Sequence, residues 1–248
     1  ACLSGGSSLP PEVKRKFEEL TGALIIEGYG ASETAPIVTG GPFHRYKIGS
    51  PGLPMPDTLI KIVDLDEGTK MIPICPHANC QEANPEECEK YIGELCVNGP
   101  QVMLGYYNKP EDTQRALRQD VKGRVWYYTS DISCIDAEGY LHIKDRKRDM
   151  IKYKGHGVFP AEVENLIYQH PAVNEVGVVG APHPTGPGET IKAYISIKKD
   201  YQGKITEEEM MKWCQDNISP YKYPREIQFI EELPKTLIGK IKRRELRE

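Results

Sequence analysis

Short apolar runs, each cut off by glycine, proline or a polar turn, fill the chain up to Arg148 and fix the kind of structure it can build. Residues 24–26 form one such run, too brief for a helix and read as a buried strand. Residues 59–64 alternate like a strand, and 93–98, 125–128, 132–135 and 140–144 follow as further short strands. Asp136-Ala137-Glu138-Gly139 reads as the hairpin turn between the last two. Strands in such a series predict a small barrel or an open β-subdomain. The 23 glycines and 20 prolines of the chain are what keep the runs short. Two helices interrupt them. Pro10-Pro11 opens one, with Val13, Phe17 and Leu20 on a shared apolar stripe and Gly22 at its end. Residues 110–120 form the other. Gly28 to Thr34 reads as a loop that two glycines make sterically free, and 66–90 as a long loop of little periodicity.

Past Arg148 the pattern changes. Strands at 150–153, 175–179, 191–197 and 226–230 alternate with helices at 160–169 and 206–217. Val163, Leu166 and Ile167 share one side of the first helix. Thr206 and Glu209 form a capping-box signature at the start of the second. This stretch reads as a separate α+β domain of about 100 residues.

Composition narrows the function. The 248 residues carry 32 basic and 36 acidic side chains, a net charge of −4. That balance gives no bulk electrostatic case for nucleic acid or an anionic membrane. No apolar run approaches the ~20 residues of a membrane span. Ala1 to Gly6 lack the basic region and apolar stretch of a signal peptide. A cytoplasmic protein with reduced thiols is the expectation. Neither composition nor pattern fixes an oligomeric state.

Six ordered motifs carry the chemistry. They are Gly28-Tyr29-Gly30-Ala31-Ser32-Glu33; Gly93-Glu94-Leu95 with Gly99 and Gly105-Tyr106-Tyr107-Asn108; Tyr128-Thr129-Ser130-Asp131; Asp145-Arg146-Lys147-Arg148-Asp149-Met150-Ile151-Lys152; Lys154-Gly155 with Glu162-Val163-Glu164; and Pro234-Lys235-Thr236-Leu237-Ile238-Gly239-Lys240. Their order along the whole chain resembles the adenylate-forming superfamily of acyl-CoA synthetases, aryl-CoA ligases, luciferases and peptide-synthetase adenylation domains. The match is to the C-terminal half of such an enzyme, since the family's upstream phosphate-binding loop is not in this sequence. The resemblance implies an α/β plus α+β fold. Residues 1–147 are expected to be the end of the large adenylation domain, with a small β-barrel-like subdomain and a Cys-rich insertion at 72–90. Residues 148–248 are expected to be the small mobile α+β C-terminal domain.

The resemblance also implies a two-step reaction: a carboxylic acid attacks ATP to give acyl-AMP, and coenzyme A then takes the acyl group. Its Asp145-Arg146-x-Arg148 stretch is similar to the fatty-acyl, aryl and luciferase branch, so a medium- or long-chain fatty acid is expected. The alternatives are an aryl-CoA ligase of 4-coumarate type, or a non-catalytic fragment, and this stretch alone is expected to be inactive. Gly28, Tyr29, Gly30, Ser32, Asp131 and Arg146 are implied to bind nucleotide, with Tyr29 on the adenine and Asp131 on the ribose. Read alone, Tyr29 is a loop tyrosine, Asp131 a turn residue and Arg146 a surface charge; Lys147 keeps that surface reading. Glu33 is implied to hold Mg²⁺ with the phosphates. Lys240 is implied to serve adenylation, where a compact ammonium suits carboxylate and phosphate oxygens. Lys152, with Gly155 and His156, belongs to the face of the thioester-forming state, and Arg148 to the hinge.

Seven cysteines leave one motif outside the family pattern. Cys75, His77, Cys80 and Cys88 fall within the insertion, as Cys-x-His-x₂-Cys-x₇-Cys. Four soft ligands suit a structural Zn²⁺; a disulfide and plain thiols remain open alternatives.

Overall fold

The computed structural model describes residues 1–6, 9–78, 85–183, 186–236 and 239–247. They divide into two compact units, 1–147 and 148–248.

The first unit begins with a four-stranded sheet ordered β1 (Cys2–Ser4), β2 (Ile25–Gly30), β3 (Ile37–Gly40) and β4 (Leu53–Pro54). β1 and β2 run parallel, because α1 (Pro11–Thr21) is the crossover between them. This helix departs from expectation. Val13 and Leu20 are 47% and 86% exposed, whereas Lys14 is only 1% exposed. Its ammonium donates to Glu18 Oε1 at 2.7 Å and to the carbonyl of Ile25 on β2. An apolar count along the helix cannot see such a pairing, which lets the lysine stem pack inward.

The second sheet is antiparallel and open. Its order is β10 (Leu141–Arg146), β9 (Val125–Ile135), β7 (Gly93–Asn98), β5 (Leu59–Val63) and β6 (Met71–Ile72), with β8 (Leu117–Gln119) paired to β9. The two strands expected at 125–128 and 132–135 are one, β9, because the polar Thr129-Ser130-Asp131 stretch bulges out of the pairing with β7 without ending the strand. Ser130 takes φ 60°, and the pairing with β7 shifts register between Glu94 and Cys96, as at a β-bulge. The predicted helix at 110–120 is the shorter α3 (Pro110–Ala116), whose chain turns straight into β8. The expected loop at 66–90 contains β6, α2 (Pro85–Cys88) and a 3₁₀ turn at Glu89–Tyr91. Val38, Ile62, Leu95, Val97, Ile135 and Leu141 form the core of this unit. Truncating one of the fully buried leucines to alanine costs about 2–5 kcal/mol.

The second unit opens with the hairpin β11 (Ile151–Tyr153) and β12 (His156–Val158). A three-stranded sheet follows, ordered β13 (Val173–Pro182), β14 (Glu189–Ile197) and β15 (Glu226–Phe229), with α4 (Pro160–Ile167) and α5 (Glu207–Asn217) in the same unit. The capping box of α5 is present: Glu209 N–H donates to Thr206 Oγ1 at 3.2 Å, and Thr206 N–H to Glu209 Oε2 at 2.9 Å. Val163 and Ile167 of α4 and Met210 and Cys214 of α5 share the sheet's buried core. The basic tail is held by acids of its own unit. Arg243 donates to Glu164 Oε1 and Oε2 at 3.0 and 2.6 Å, and Arg247 to Asp149 Oδ1 at 3.1 Å. Among the described residues no helix is long and apolar enough to cross a membrane.

Candidate active site

Gly28, Tyr29 and Gly30 lie on β2, not in a loop. The strand is paired to β3 up to Gly30↔Ile37, with a register shift after Tyr29. Only glycine fits at position 30, because a Cβ there would stand 1.5 Å from the Pro36 carbonyl oxygen. The chain then folds into a 3₁₀ turn, Ser32–Thr34. Thr34 Oγ1 accepts from the Ala31 N–H at 3.0 Å and fixes the turn.

That turn presents Ser32 to solvent and Glu33 to the loop at 99–109. The carbonyl of Glu33 accepts from Met103 N–H at 2.8 Å, and its Oε1 accepts from the Tyr106 hydroxyl at 2.7 Å. Burial, the bond to Glu33 and that carboxylate's charge push the Tyr106 phenol up to about 12. Tyr106 therefore stays a donor at neutral pH, and it holds the Oε1 oxygen of Glu33. A half-buried carboxylate is a hard oxygen donor of the kind Mg²⁺ takes beside phosphates, so Glu33 fits the ion the family resemblance implies.

Asp131, at the bulge of β9, meets Tyr29 across the two sheets. The Tyr29 hydroxyl donates to Asp131 Oδ2 at 2.5 Å, and Nε of Arg146 lies 3.3 Å from Oδ1. Arg146 reaches that place because β10 pairs it directly with Asp131. Burial and the Asp131 charge raise the Tyr29 phenol strongly, so it too remains protonated. Asp131 is 7% exposed: a nearly buried carboxylate set between a phenol and a guanidinium. Glu94 braces the same corner. Its Oε1 accepts from Ser130 N–H and its Oε2 from Lys147 Nζ, both at 3.1 Å. Lys147, expected to be a plain surface charge, is instead the partner of an acid only 5% exposed. The bracing residues Tyr106 and Glu94 stood inside quoted motifs, but nothing in their spacing marked their partners.

The second unit carries Lys152 on β11 and Lys240 on a loop near the C-terminus. Lys154 and Gly155 form the two-residue turn of the β11–β12 hairpin, with φ of 47° and 84°, the pattern of a type I′ turn. Lys152 before it is exposed, and its N–H donates to Glu189 Oε2 at 2.9 Å. His156 after it is exposed, with its ring 4.8 Å from that of Tyr221. Lys240 is half-buried on a loop that closes on itself. Thr236 N–H donates to the Lys240 carbonyl at 2.8 Å, and Lys240 N–H to Thr236 Oγ1 at 3.1 Å. Those two bonds fix Thr236 and Lys240 against one another. Residues 237 and 238 between them lie outside the described residues. Arg148 is exposed and is the first residue of the second unit. Of the cysteine motif, Cys75, His77 and Cys88 come together, while Cys80 lies outside the described residues.

Comparison with known proteins matches both units to one family. Residues 1–107 match the model of the AMP-binding enzyme, and 162–240 that of the AMP-binding enzyme C-terminal domain. The long-chain-fatty-acid–CoA ligase of Escherichia coli O157:H7 is 41% identical over 249 residues, covering 99% of this chain and 40% of that protein. Among solved structures, ATP-bound MatB from Rhodopseudomonas palustris superposes with a TM-score of 0.84 at 28% identity, covering 99% of this chain and 44% of that one. The anthranilate CoA ligase AuaEII, in complex with anthranoyl-AMP, superposes with a TM-score of 0.80 at 32% identity, covering 99% and 43%. The chain thus spans less than half the length of the proteins it matches.

Proposed function

The chain belongs to the AMP-binding enzyme family, and on that premise we propose that it serves the ligation of a long-chain fatty acid to coenzyme A, with cleavage of ATP to AMP and pyrophosphate. The observation that carries the reading is the Asp131 carboxylate held between Tyr29 and Arg146. A carboxylate fixed in this way accepts hydrogen bonds from the vicinal hydroxyls of a ribose, beside a tyrosine ring on which an adenine stacks.

In the first step an oxygen of the fatty-acid carboxylate attacks the α-phosphorus of ATP. The bond to the β-phosphate bridge breaks, and pyrophosphate leaves with that electron pair. The step asks for positioning and charge stabilisation, with no protein nucleophile. Lys240 supplies the cation for the carboxylate and α-phosphate oxygens. Glu33 would hold Mg²⁺, which would offset the phosphate charge. In the second step the coenzyme A thiol loses its proton and attacks the acyl carbon, and AMP leaves. The β11–β12 hairpin, with Lys152, Gly155 and His156, is the face that serves this step, and Arg148 is the pivot between the two states.

The acyl substrate is read from the relatives. Identity to the long-chain ligase is 41%, against 32% to the anthranilate ligase. The test is a panel of carboxylic acids offered to the protein that carries this chain. A C12–C18 fatty acid is expected to give a kcat/KM at least about tenfold above benzoic or cinnamic acids, a difference of ~1.4 kcal/mol. The reverse order makes it an aryl-CoA ligase.

A further inference from the structure

The Sγ atoms of Cys75 and Cys88 lie 3.8 Å apart. A disulfide holds its sulfurs at ~2.05 Å. Two thiolates on one tetrahedral zinc, each ~2.3 Å from the ion, stand about 3.8 Å from one another. The observed spacing, which two hydrogen-bonded thiols can also adopt, matches the edge of a zinc tetrahedron and lies far outside the range of a disulfide bond. An imidazole nitrogen of His77 joins them: the ligand atoms of Cys75, His77 and Cys88 all lie within 4.8 Å of one another. The Glu87 carboxylate stands 3.8 Å from His77 Nε2, in ion-pair range but beyond hydrogen-bond distance.

The setting explains what an ion there accomplishes. Cys75 N–H donates to the Ile135 carbonyl at 2.8 Å, and Ala137 N–H to the His77 carbonyl at 3.1 Å. Cys75 and His77 are therefore already fixed against the β9–β10 hairpin. Cys88, the last residue of α2, closes the group from thirteen residues further along. Near it Ile74 is 58% exposed, while Cys75 and Cys88 are 0% and 2% exposed. A segment that turns its cysteines inward and Ile74 outward gains little hydrophobic stabilisation from its own side chains.

We propose that Cys75, His77 and Cys88 are ligands of a structural Zn²⁺ that ties the end of α2 to the Cys75–His77 stretch held on the β9–β10 hairpin. On binding, the two thiols give up their protons and the thiolates donate to the ion, which stays divalent; no oxidant or reductant is involved. The function is structural: Cys75 and Cys88 lie in a buried cluster with Cys134, Tyr91 and Ile92, His77 is half-exposed, and a fourth ligand beyond these three completes the tetrahedron.

Metal analysis of the protein that carries this chain, purified without chelator, is expected to give about one zinc per chain. Cys75→Ser and Cys88→Ser should each fall below ~0.2, and Cys2→Ser, at an exposed position, should keep the full content. A serine at a buried site can also unfold its segment, so the wild-type protein reconstituted with Co²⁺ is read independently. It should show thiolate-to-cobalt charge-transfer absorption and the intense visible bands of a tetrahedral site. The proposal is overturned by a wild-type protein that holds under ~0.2 zinc and takes up none on dialysis. A Cys75–Cys88 disulfide found by mass spectrometry, a cobalt spectrum without sulfur ligation, or full zinc content in both serine variants overturns it as well.

Discussion

Tyr29 and Asp131, 102 residues apart in sequence, are joined by a hydrogen bond of 2.5 Å from the phenol to Oδ2. One sits on β2 and the other at the bulge of β9, so the bond ties the two sheets of the first unit at the proposed nucleotide site. Asp131→Ala removes the acceptor and is expected to raise KM for ATP by about 10–100-fold, the scale of one or two hydrogen bonds to a charged group. Tyr29→Phe keeps the ring and frees Asp131, so a smaller rise, within about tenfold, is expected. Steady-state kinetics at varied ATP measure both. An unchanged KM in Asp131→Ala removes this carboxylate from nucleotide binding.

Lys240 and Lys152 are assigned to different steps, so their variants should fail differently. Lys240→Ala is expected to slow acyl-AMP formation by about 10²–10³, typical of losing one charge-stabilising donor. Thioester formation from supplied acyl-AMP should stay within about threefold of wild type, well under the ~1.4 kcal/mol that a tenfold change represents. Lys152→Ala should show the opposite split. Equal losses in both assays contradict separate roles.

Ser130 occupies the left-handed region, with φ 60°, a conformation that costs an ordinary L-residue roughly 1–2 kcal/mol. Glycine avoids that cost and gives back part of it as unfolded-state entropy. Ser130→Gly is therefore expected to stabilise the protein by about 0.5–1 kcal/mol in urea unfolding. Destabilisation shows instead that the Ser130 side chain contributes more than the strain costs.

A buried polar cluster sets the acid sensitivity of the first unit. Asp136 Oδ2 accepts from Lys47 Nζ at 2.6 Å and lies 2.9 Å from His142 Nε2, and both Asp136 and His142 are fully buried. Burial pushes the Asp136 carboxyl up, but its bonds to His142, Lys47 and the Tyr140 N–H outweigh this and hold it below the usual range. Burial holds the His142 imidazole below its ordinary value, against the pull of Asp136. Both groups are depressed, so the unfolded chain binds more protons than the folded one as the pH falls. Stability from His142 is full above about pH 6.5 and declines below it; stability from Asp136 is full above about pH 3.9 and is lost further down. His142→Gln should flatten the slope of stability against pH between about 5 and 7. An identical slope in the variant places the acid response elsewhere.

The sequence was most informative where local pattern and tertiary structure agree. Thr206 and Glu209 announced the start of α5 because a capping box is satisfied within four residues. Residues 93–98 were legible as β7 because the run is bounded on both sides. Lys14 was illegible because its partner, the Ile25 carbonyl, lies across a crossover. The continuity of β9 was hidden by Ser130, which lets a polar stretch bulge within the strand through a conformation no propensity favours. In the proposed site, motif order pointed to Tyr29, Asp131 and Arg146 as separate residues. Their meeting around one carboxylate depends on pairing between β9 and β10 and on contact between two sheets. Tyr106 and Glu94 support that site through side-chain bonds alone, which leave no trace in spacing.

The most direct test of the account is product analysis with a long-chain fatty acid, ATP and coenzyme A, using the protein that carries this chain. AMP and pyrophosphate are expected in equal amounts with the acyl thioester, together with fatty-acid-dependent exchange of labelled pyrophosphate into ATP when coenzyme A is left out. Release of ADP and phosphate in their place, or exchange that ignores the fatty acid, contradicts the account.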